Sequence, residues 1–174
     1  MSSFARFALA LALVLEPGCP AAGEPSPPTA TATAPEATRL VERAVDGDTL
    51  VLDGGERLRL IGVDTPETHH TRRKSGAECF GQEAWEFTRD RVVGREVRVV
   101  FERGERRDRY GRTLGYVYLG DGAFLNLELL EQGYARVYRA MPRRFKVQFF
   151  GAERDARDHR RGLWGPTCSA TSER

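Results

Sequence analysis

The 174-residue chain predicts an α+β fold that is mainly β: five strands closing a small barrel, with three helices packed around it. Two observations predict this. Five short, apolar-rich runs are separated by Gly and Asp turn signals, the signature of short strands in a small all-β unit. One segment of helical period falls between the third and fourth runs, and two more follow the fifth. That order matches the OB-fold plan, a partly open five-stranded barrel whose faces and loops often hold nucleic acid.

Each element has its own signal. Leu40 to Ala44 and Thr49 to Leu52 read as strands joined by Asp46-Gly47-Asp48, because Asp-Gly favours a hairpin turn. Gly54-Gly55 marks the next turn, and Arg57 to Val63 reads as the third strand. Thr68 to Ala77 is polar and basic without periodicity and reads as a mobile loop. Gly81 to Val92 carries Phe80, Ala84, Phe87 and Thr88 on one stripe, which predicts a helix, and Gly94 breaks it. Arg95 to Glu102 alternates Val97, Val99 and Phe101 against Glu96, Arg98 and Val100, the pattern of a half-buried strand. Thr113 to Leu119 is the fifth strand. Asn126 to Gln132 is a short helix stopped by Gly133. Phe145, Phe149, Ala152 and Ala156 mark the inner face of a last helix ending at Gly162, after which Leu163 and Trp164 pack back on the core.

The N-terminus reads as an export signal over residues 1–18, with Arg6 as its positive start and Phe7 to Leu15 as an apolar run too short to span a bilayer. Gly18-Cys19 is similar to the end of a bacterial lipoprotein signal, which implies lipid on Cys19 and anchoring at the membrane. Glu16 departs from that pattern, so ordinary cleavage after Ala21-Ala22 or beyond, with a periplasmic or secreted product, stays open. Residues 19–37, rich in Pro, Ala and Thr, bury too little apolar surface to fold and read as a tether. The folded domain is then 38–168, with 169–174 as a tail. With Cys19 lipidated, Cys79 and Cys168 remain as an even pair in an oxidising compartment, and a disulfide is the expectation by elimination. Neither cysteine falls in a motif with chemistry, so the bond is expected to act on stability alone. Two unpaired thiols are the alternative. No CxxC or CxxH spacing suggests a metal site.

Net charge is only +2, so total charge does not point to nucleic acid. Its distribution says more: from Arg136 to Arg161 there are nine Lys/Arg and three Asp/Glu. Such a run is either a solvated helix face or a basic flank beside a phosphate site.

The most informative stretch is Val45-Asp46-Gly47-Asp48-Thr49 followed by Arg59-Leu60-Ile61-Gly62-Val63-Asp64-Thr65-Pro66-Glu67-Thr68. Asp48, Asp64 and Glu67 are hard oxygen donors suited to Ca²⁺ or Mg²⁺. Arg59, and Arg112 in Asp108-Arg109-Tyr110-Gly111-Arg112, offer planar forks suited to phosphate. Singly, each has a plain structural reading. Asp-Gly-Asp is a turn, Asp-Thr-Pro-Glu is a helix cap with Thr65 capping, Arg59 is a strand surface charge and Arg112 a turn residue. Adjacent His69-His70 are solvated loop residues or added metal ligands, and His159 is a surface residue.

In this order and spacing the motifs resemble the staphylococcal nuclease (thermonuclease) family. The resemblance runs from about Leu40 to Trp164 and is carried also by Phe80-Gly81-Gln82-Glu83-Ala84, Arg106-Arg107 before Asp108, Asn126 through Gly133, and Gly162-Leu163-Trp164. It implies a Ca²⁺-dependent endonuclease that hydrolyses phosphodiester bonds and leaves 3′-phosphates. It implies Asp48 and Asp64 as carboxylate ligands of Ca²⁺, with the Thr65 carbonyl added. Glu67 becomes the general base or the group that orients the attacking water, and Arg59 and Arg112 clamp the scissile phosphate. Arg109, Tyr110 and Leu114 fall where the family contacts the terminal phosphate and nucleotide. Tyr138 falls near a nucleotide-stacking tyrosine, while the second tyrosine of that segment is missing. Recognition of this kind reads phosphate more than base, so DNA and RNA are both expected substrates, single strands favoured, with the protein acting as a monomer. The competing readings are a non-catalytic nucleic-acid or protein-binding module on the same fold, which usually lacks the carboxylates or arginines, and a structural surface lipoprotein, which needs none of them.

Overall fold

The Asp-Gly-Asp turn joins two antiparallel strands, β1 (Glu36–Ala44) and β2 (Thr49–Leu52), with Val41 opposite Leu52 and Ala44 opposite Leu50. The computed structural model describes residues 35–68, 78–104 and 107–169. β1 begins at Glu36, ahead of the predicted Leu40, and its first two residues belong to the stretch read as tether. The polar Glu36–Leu40 half carries no apolar pattern because it is held by backbone pairing: it runs antiparallel to Glu96–Val100, with Glu36 opposite Val100. An irregularity between Val41 and Arg43 bends β1 so that one strand serves both neighbours.

After the Gly54-Gly55 turn, β3 (Arg57–Leu60) pairs antiparallel with β2. The predicted strand to Val63 is cut at Gly62, which sits at φ 81°. A Cβ there would also lie 2.7 Å from the Phe149 ring, so the turn needs glycine for both conformation and space. The chain resumes as β4 (Val63–Asp64), which leaves the barrel and pairs with β7 (Arg136–Val137), a ribbon absent from the sequence reading.

The helix α1 occupies Gly81–Val92 as predicted, with Ala84, Thr88 and Val92 buried. Gly94, at φ 76°, turns the chain into β5 (Glu96–Val100). β6 (Thr113–Tyr118) then pairs antiparallel with β5 and parallel with β3, closing a barrel in the order β1-β2-β3-β6-β5. α2 (Leu125–Glu131) and α3 (Lys146–Asp158) cover one end, where Tyr116, Phe124, Phe145 and Phe149 form an aromatic cluster. α3 ends at Asp158 rather than Gly162: Arg160 turns left-handed at φ 53° and Arg161 N donates back to the Ala156 carbonyl at 2.9 Å. Leu163 packs inward, and Pro166–Ser169 adds a single short turn, α4. Among the described residues no helix is long and apolar enough to cross a membrane.

Asn126 is fully buried at the start of α2. Its Oδ1 accepts from Val117 N at 2.9 Å and its Nδ2 donates to the Ile61 carbonyl at 2.9 Å, tying β6 to the β3–β4 turn. Asn126→Leu strands a buried N–H and a buried carbonyl, each costing about 1–3 kcal/mol. Urea unfolding should therefore show a loss of about 2–5 kcal/mol. A loss below about 1 kcal/mol would mean that water replaces both bonds.

Candidate active site

Strand register assembles the site. Thr49 stands opposite Arg59 across β2 and β3, and Arg59 stands beside Leu114 across β3 and β6, so three strands deliver these residues to one rim of the barrel. Asp48 precedes Thr49 at the end of the hairpin turn and is 5% exposed. Its Oδ1 accepts from Thr49 Oγ1 at 3.1 Å and its Oδ2 from Thr65 N at 2.9 Å. The turn that presents Asp48 is fixed twice. Asp46 Oδ1 accepts from Asp48 N at 3.0 Å, and from the far side Thr88 Oγ1 on α1 donates to the Gly47 carbonyl at 2.7 Å. A Cβ on Gly47 would lie 2.7 Å from Thr65, so only glycine lets the turn approach the Thr65 segment so closely.

Arg59 is the centre of the arrangement. Its side chain is 14% exposed, and the guanidinium contacts Asp48 Oδ2 through Nη1 and donates to Asp64 Oδ1 through Nη2 at 2.9 Å. The reading of Arg59 as a strand surface charge is therefore corrected. Burial pushes its pKa down, Asp64 and Asp46 push it back up, and the like charge of Arg112 lowers it again. Asp46 answers in the opposite sense: burial raises its carboxyl, against the pull of Arg59, Thr49 and Arg112.

Arg112 joins the same cluster through Thr49, whose Oγ1 lies 3.4 Å from Arg112 Nη1. Thr49 is fully buried and bridges Asp48 to Arg112, a role the sequence reading missed. Asp108 holds the other edge of Arg112, accepting from Nε at 2.7 Å and from the Arg112 and Tyr110 backbone N–H groups at 3.0 and 2.9 Å. Burial raises the Asp108 carboxyl, but these bonds outweigh it and hold its pKa below the ordinary carboxylate value. An Asp opening a turn that closes on Gly111 (φ 77°) was the available signal for this bracket.

Arg109 and Tyr110 lie on that exposed turn, with Arg109 Nη2 donating to Tyr110 Oη at 2.7 Å and the Arg112 guanidinium 5.4 Å from the Tyr110 ring. Tyr138, 53% exposed, follows the β4–β7 ribbon, where Arg136 is opposite Asp64 and Tyr138 N donates to the Gly62 carbonyl. Thr65 caps no helix: residues 65–68 are irregular, and α1 begins at Gly81 behind Phe80. Glu67 follows on this irregular segment and is half-buried. Cys79 and Cys168 are disulfide-bonded, with Cα atoms 5.6 Å apart. His159 is at the surface beside Asp155. The export signal, Cys19, the loop with His69 and His70, Arg106 and the tail from residue 170 lie outside the described residues.

Two carboxylates, Asp48 and Asp64, thus converge on one cationic group, with the Thr65 backbone hydrogen-bonded to the first. Among the described residues no three His, Cys, Asp or Glu side chains cluster as a closed metal site. Two carboxylates and a carbonyl are hard oxygens, and with Asp64 exposed to solvent they fit a Ca²⁺-like ion that keeps water in its shell, and do not fit zinc.

The family profile described as "Staphylococcal nuclease homologue" matches residues 57–166. The chain belongs to the staphylococcal nuclease family. A thermonuclease of Staphylococcus intermedius is 38% identical over 129 residues, covering 72% of this chain and 74% of that protein. A thermonuclease of Staphylococcus hyicus is 36% identical over 133 residues, covering 74% and 76%. Endonuclease YhcR of Bacillus subtilis is 34% identical over 151 residues, 81% of this chain but 12% of that protein. As a staphylococcal nuclease homologue, the chain brings Asp48, Arg59, Asp64 and Arg112 together in one cluster, and membership places it among phosphodiester-hydrolysing nucleases.

Proposed function

We propose that this protein is an exported, Ca²⁺-dependent endonuclease that cleaves DNA, and RNA as well, leaving 3′-phosphates. The observation that carries the reading is the shared hold of Asp48 and Asp64 on Arg59, with Arg112 tied through Thr49 to the same Asp48. A binding module has no need of one arginine held between two carboxylates with a second tied to the same cluster through Thr49. The 3′-phosphate outcome rests on the family resemblance.

Asp48, Asp64 and the Thr65 carbonyl would hold the metal. When bound, Ca²⁺ supplies Lewis-acid polarisation of a phosphoryl oxygen and neutralises the carboxylates. The protein's own groups do the rest. Arg59 gives up at least one carboxylate to reach a non-bridging phosphate oxygen. Arg112, steered by Asp108, donates to the same phosphoryl group, and both forks are preorganised for the charge that grows as water adds. Glu67 accepts a proton from the attacking water or orients it; the water oxygen bonds to phosphorus while the bond to the 5′ oxygen breaks and that oxygen takes up a proton. Tyr110 and Tyr138 offer exposed rings for base stacking. Export and action as a monomer belong to the same reading. The Cys79–Cys168 bond suits an oxidising compartment, and lipid on Cys19 would anchor the enzyme at the envelope.

Cleavage of a labelled single-stranded DNA is expected to disappear in a Ca²⁺ chelator and return on Ca²⁺ add-back. Full cleavage in the chelator would remove Asp48 and Asp64 from the role of metal ligands. Labelled fatty acid on the wild type that is lost in Cys19→Ser would establish the anchor, and an unlabelled protein starting beyond Cys19 would replace it with simple secretion.

A further inference from the structure

We propose that the segment Glu78–Gly81, locked by the Cys79–Cys168 disulfide, is a positioning clamp for Glu67. The proposal rests on the role given to Glu67 above and adds residues whose work is to hold it. Glu67 lies in neither strand nor helix, so no ladder sets its backbone. Its backbone is engaged by Glu78, further along the chain. Glu67 N donates to Glu78 Oε2 at 3.3 Å, and Glu78 N donates to the Glu67 carbonyl at 2.9 Å. Both backbone groups of Glu67 are thereby engaged by one residue. Gly81 closes against the same carbonyl: a Cβ there would lie 2.3 Å from Glu67 O and 3.1 Å from Pro66 O. Its backbone angles are ordinary, so glycine stands there for the close approach alone.

The clamp is itself held under strain. Phe80 adopts φ 71°, a left-handed conformation that a bulky residue enters only when its surroundings dictate it. Its ring stacks on Tyr134 with centroids 5.4 Å apart, and Tyr134 stacks in turn on Phe87 of α1 at 4.5 Å. On the other flank Cys79 is bonded to Cys168 on α4. The turn before α4 is seated on the core by Leu163 N donating to the Gly133 carbonyl at 2.9 Å. One covalent and one aromatic anchor therefore lie between Glu78 and Gly81, two residues that touch Glu67. On this proposal the disulfide bears on activity as well as on stability, because Cys79 adjoins Glu78. A shift of about 1 Å in a reacting group costs up to about a hundredfold in rate, which is what such a clamp prevents.

The test compares Glu78→Ala, Glu78→Gln, the Cys79→Ala/Cys168→Ala pair and Glu67→Gln in the full chain, with saturating Ca²⁺ and a single-stranded oligonucleotide, well below each variant's melting temperature. The Glu78→Ala and paired-cysteine proteins should lose about tenfold in kcat with KM within about twofold. Glu78→Gln keeps an oxygen that accepts from Glu67 N and should recover to within about threefold of wild type. Adding Glu78→Ala to Glu67→Gln should cost nothing further, since the clamp acts only through Glu67. Folded Glu78→Ala and paired-cysteine variants with wild-type kcat, beside a crippled Glu67→Gln, would overturn the clamp and leave the nuclease reading intact. So would losses that add fully to Glu67→Gln. A Glu67→Gln enzyme as active as wild type would instead overturn the assignment of Glu67, and the clamp with it.

Discussion

Lysine in place of Arg59 or Arg112 is expected to lower turnover by about two or more orders of magnitude, the usual cost of losing a transition-state donor. Charge is conserved in both changes, so a loss of that size reports geometry. The Arg59 fork serves Asp48 with one nitrogen and Asp64 with another, and an ammonium on a flexible stem offers no such planar pair. Arg112 is held at Nε by Asp108 and at Nη1 by Thr49, which fixes the direction of its remaining donors; lysine keeps one of these contacts at most. The effect should fall on kcat more than on KM, because the extra negative charge exists only as water adds to phosphorus. Steady-state cleavage with saturating Ca²⁺ checks it. A drop below about threefold for either variant would move that arginine away from the scissile phosphate.

Loss of the disulfide is expected to have the largest effect on stability. Cys79 and Cys168 are 89 residues apart in sequence, and in the chain-entropy model closing a loop of that length is worth about 4–5 kcal/mol. The bond joins the entrance of α1 to α4, so in the folded state it restrains the last turn of the described residues as well. Urea unfolding of the Cys79→Ala/Cys168→Ala protein against wild type, both without reductant, measures the difference. A deficit under about 1 kcal/mol would show that the unfolded chain is already compact across this span. The same pair of variants, assayed cold, separates stability from the positioning of Glu67.

Much of this protein is written locally in its sequence. The limits of α1, the Asp46-Gly47-Asp48 hairpin, the alternation of β5 and the glycine stop after α2 each depend on side chains within a few positions of one another, and periodicity or turn chemistry reports them directly. The motifs around Asp48, Arg59, Asp64 and Arg112 were legible for the same reason: acidic and guanidinium groups at those spacings have few structural uses together. What the sequence left open depends on partners far along the chain. Glu36 and Ala37 look like tether until β5 supplies their hydrogen bonds. Arg57 to Val63 looks like one strand until Gly62 turns β4 toward β7, where Asp64 comes opposite Arg136. Thr49 looks like an ordinary strand threonine, Asp108 like a turn residue and Glu78 like a loop charge. Only the closed barrel makes Thr49 the link between Asp48 and Arg112, and only the disulfide-bonded entrance to α1 sets Glu78 against Glu67. Composition and spacing determined which chemistry the chain carries. Its aim was decided by tertiary structure, because hydrogen bonds act over about 3 Å and partners such as Thr49 and Arg112 lie several strands apart.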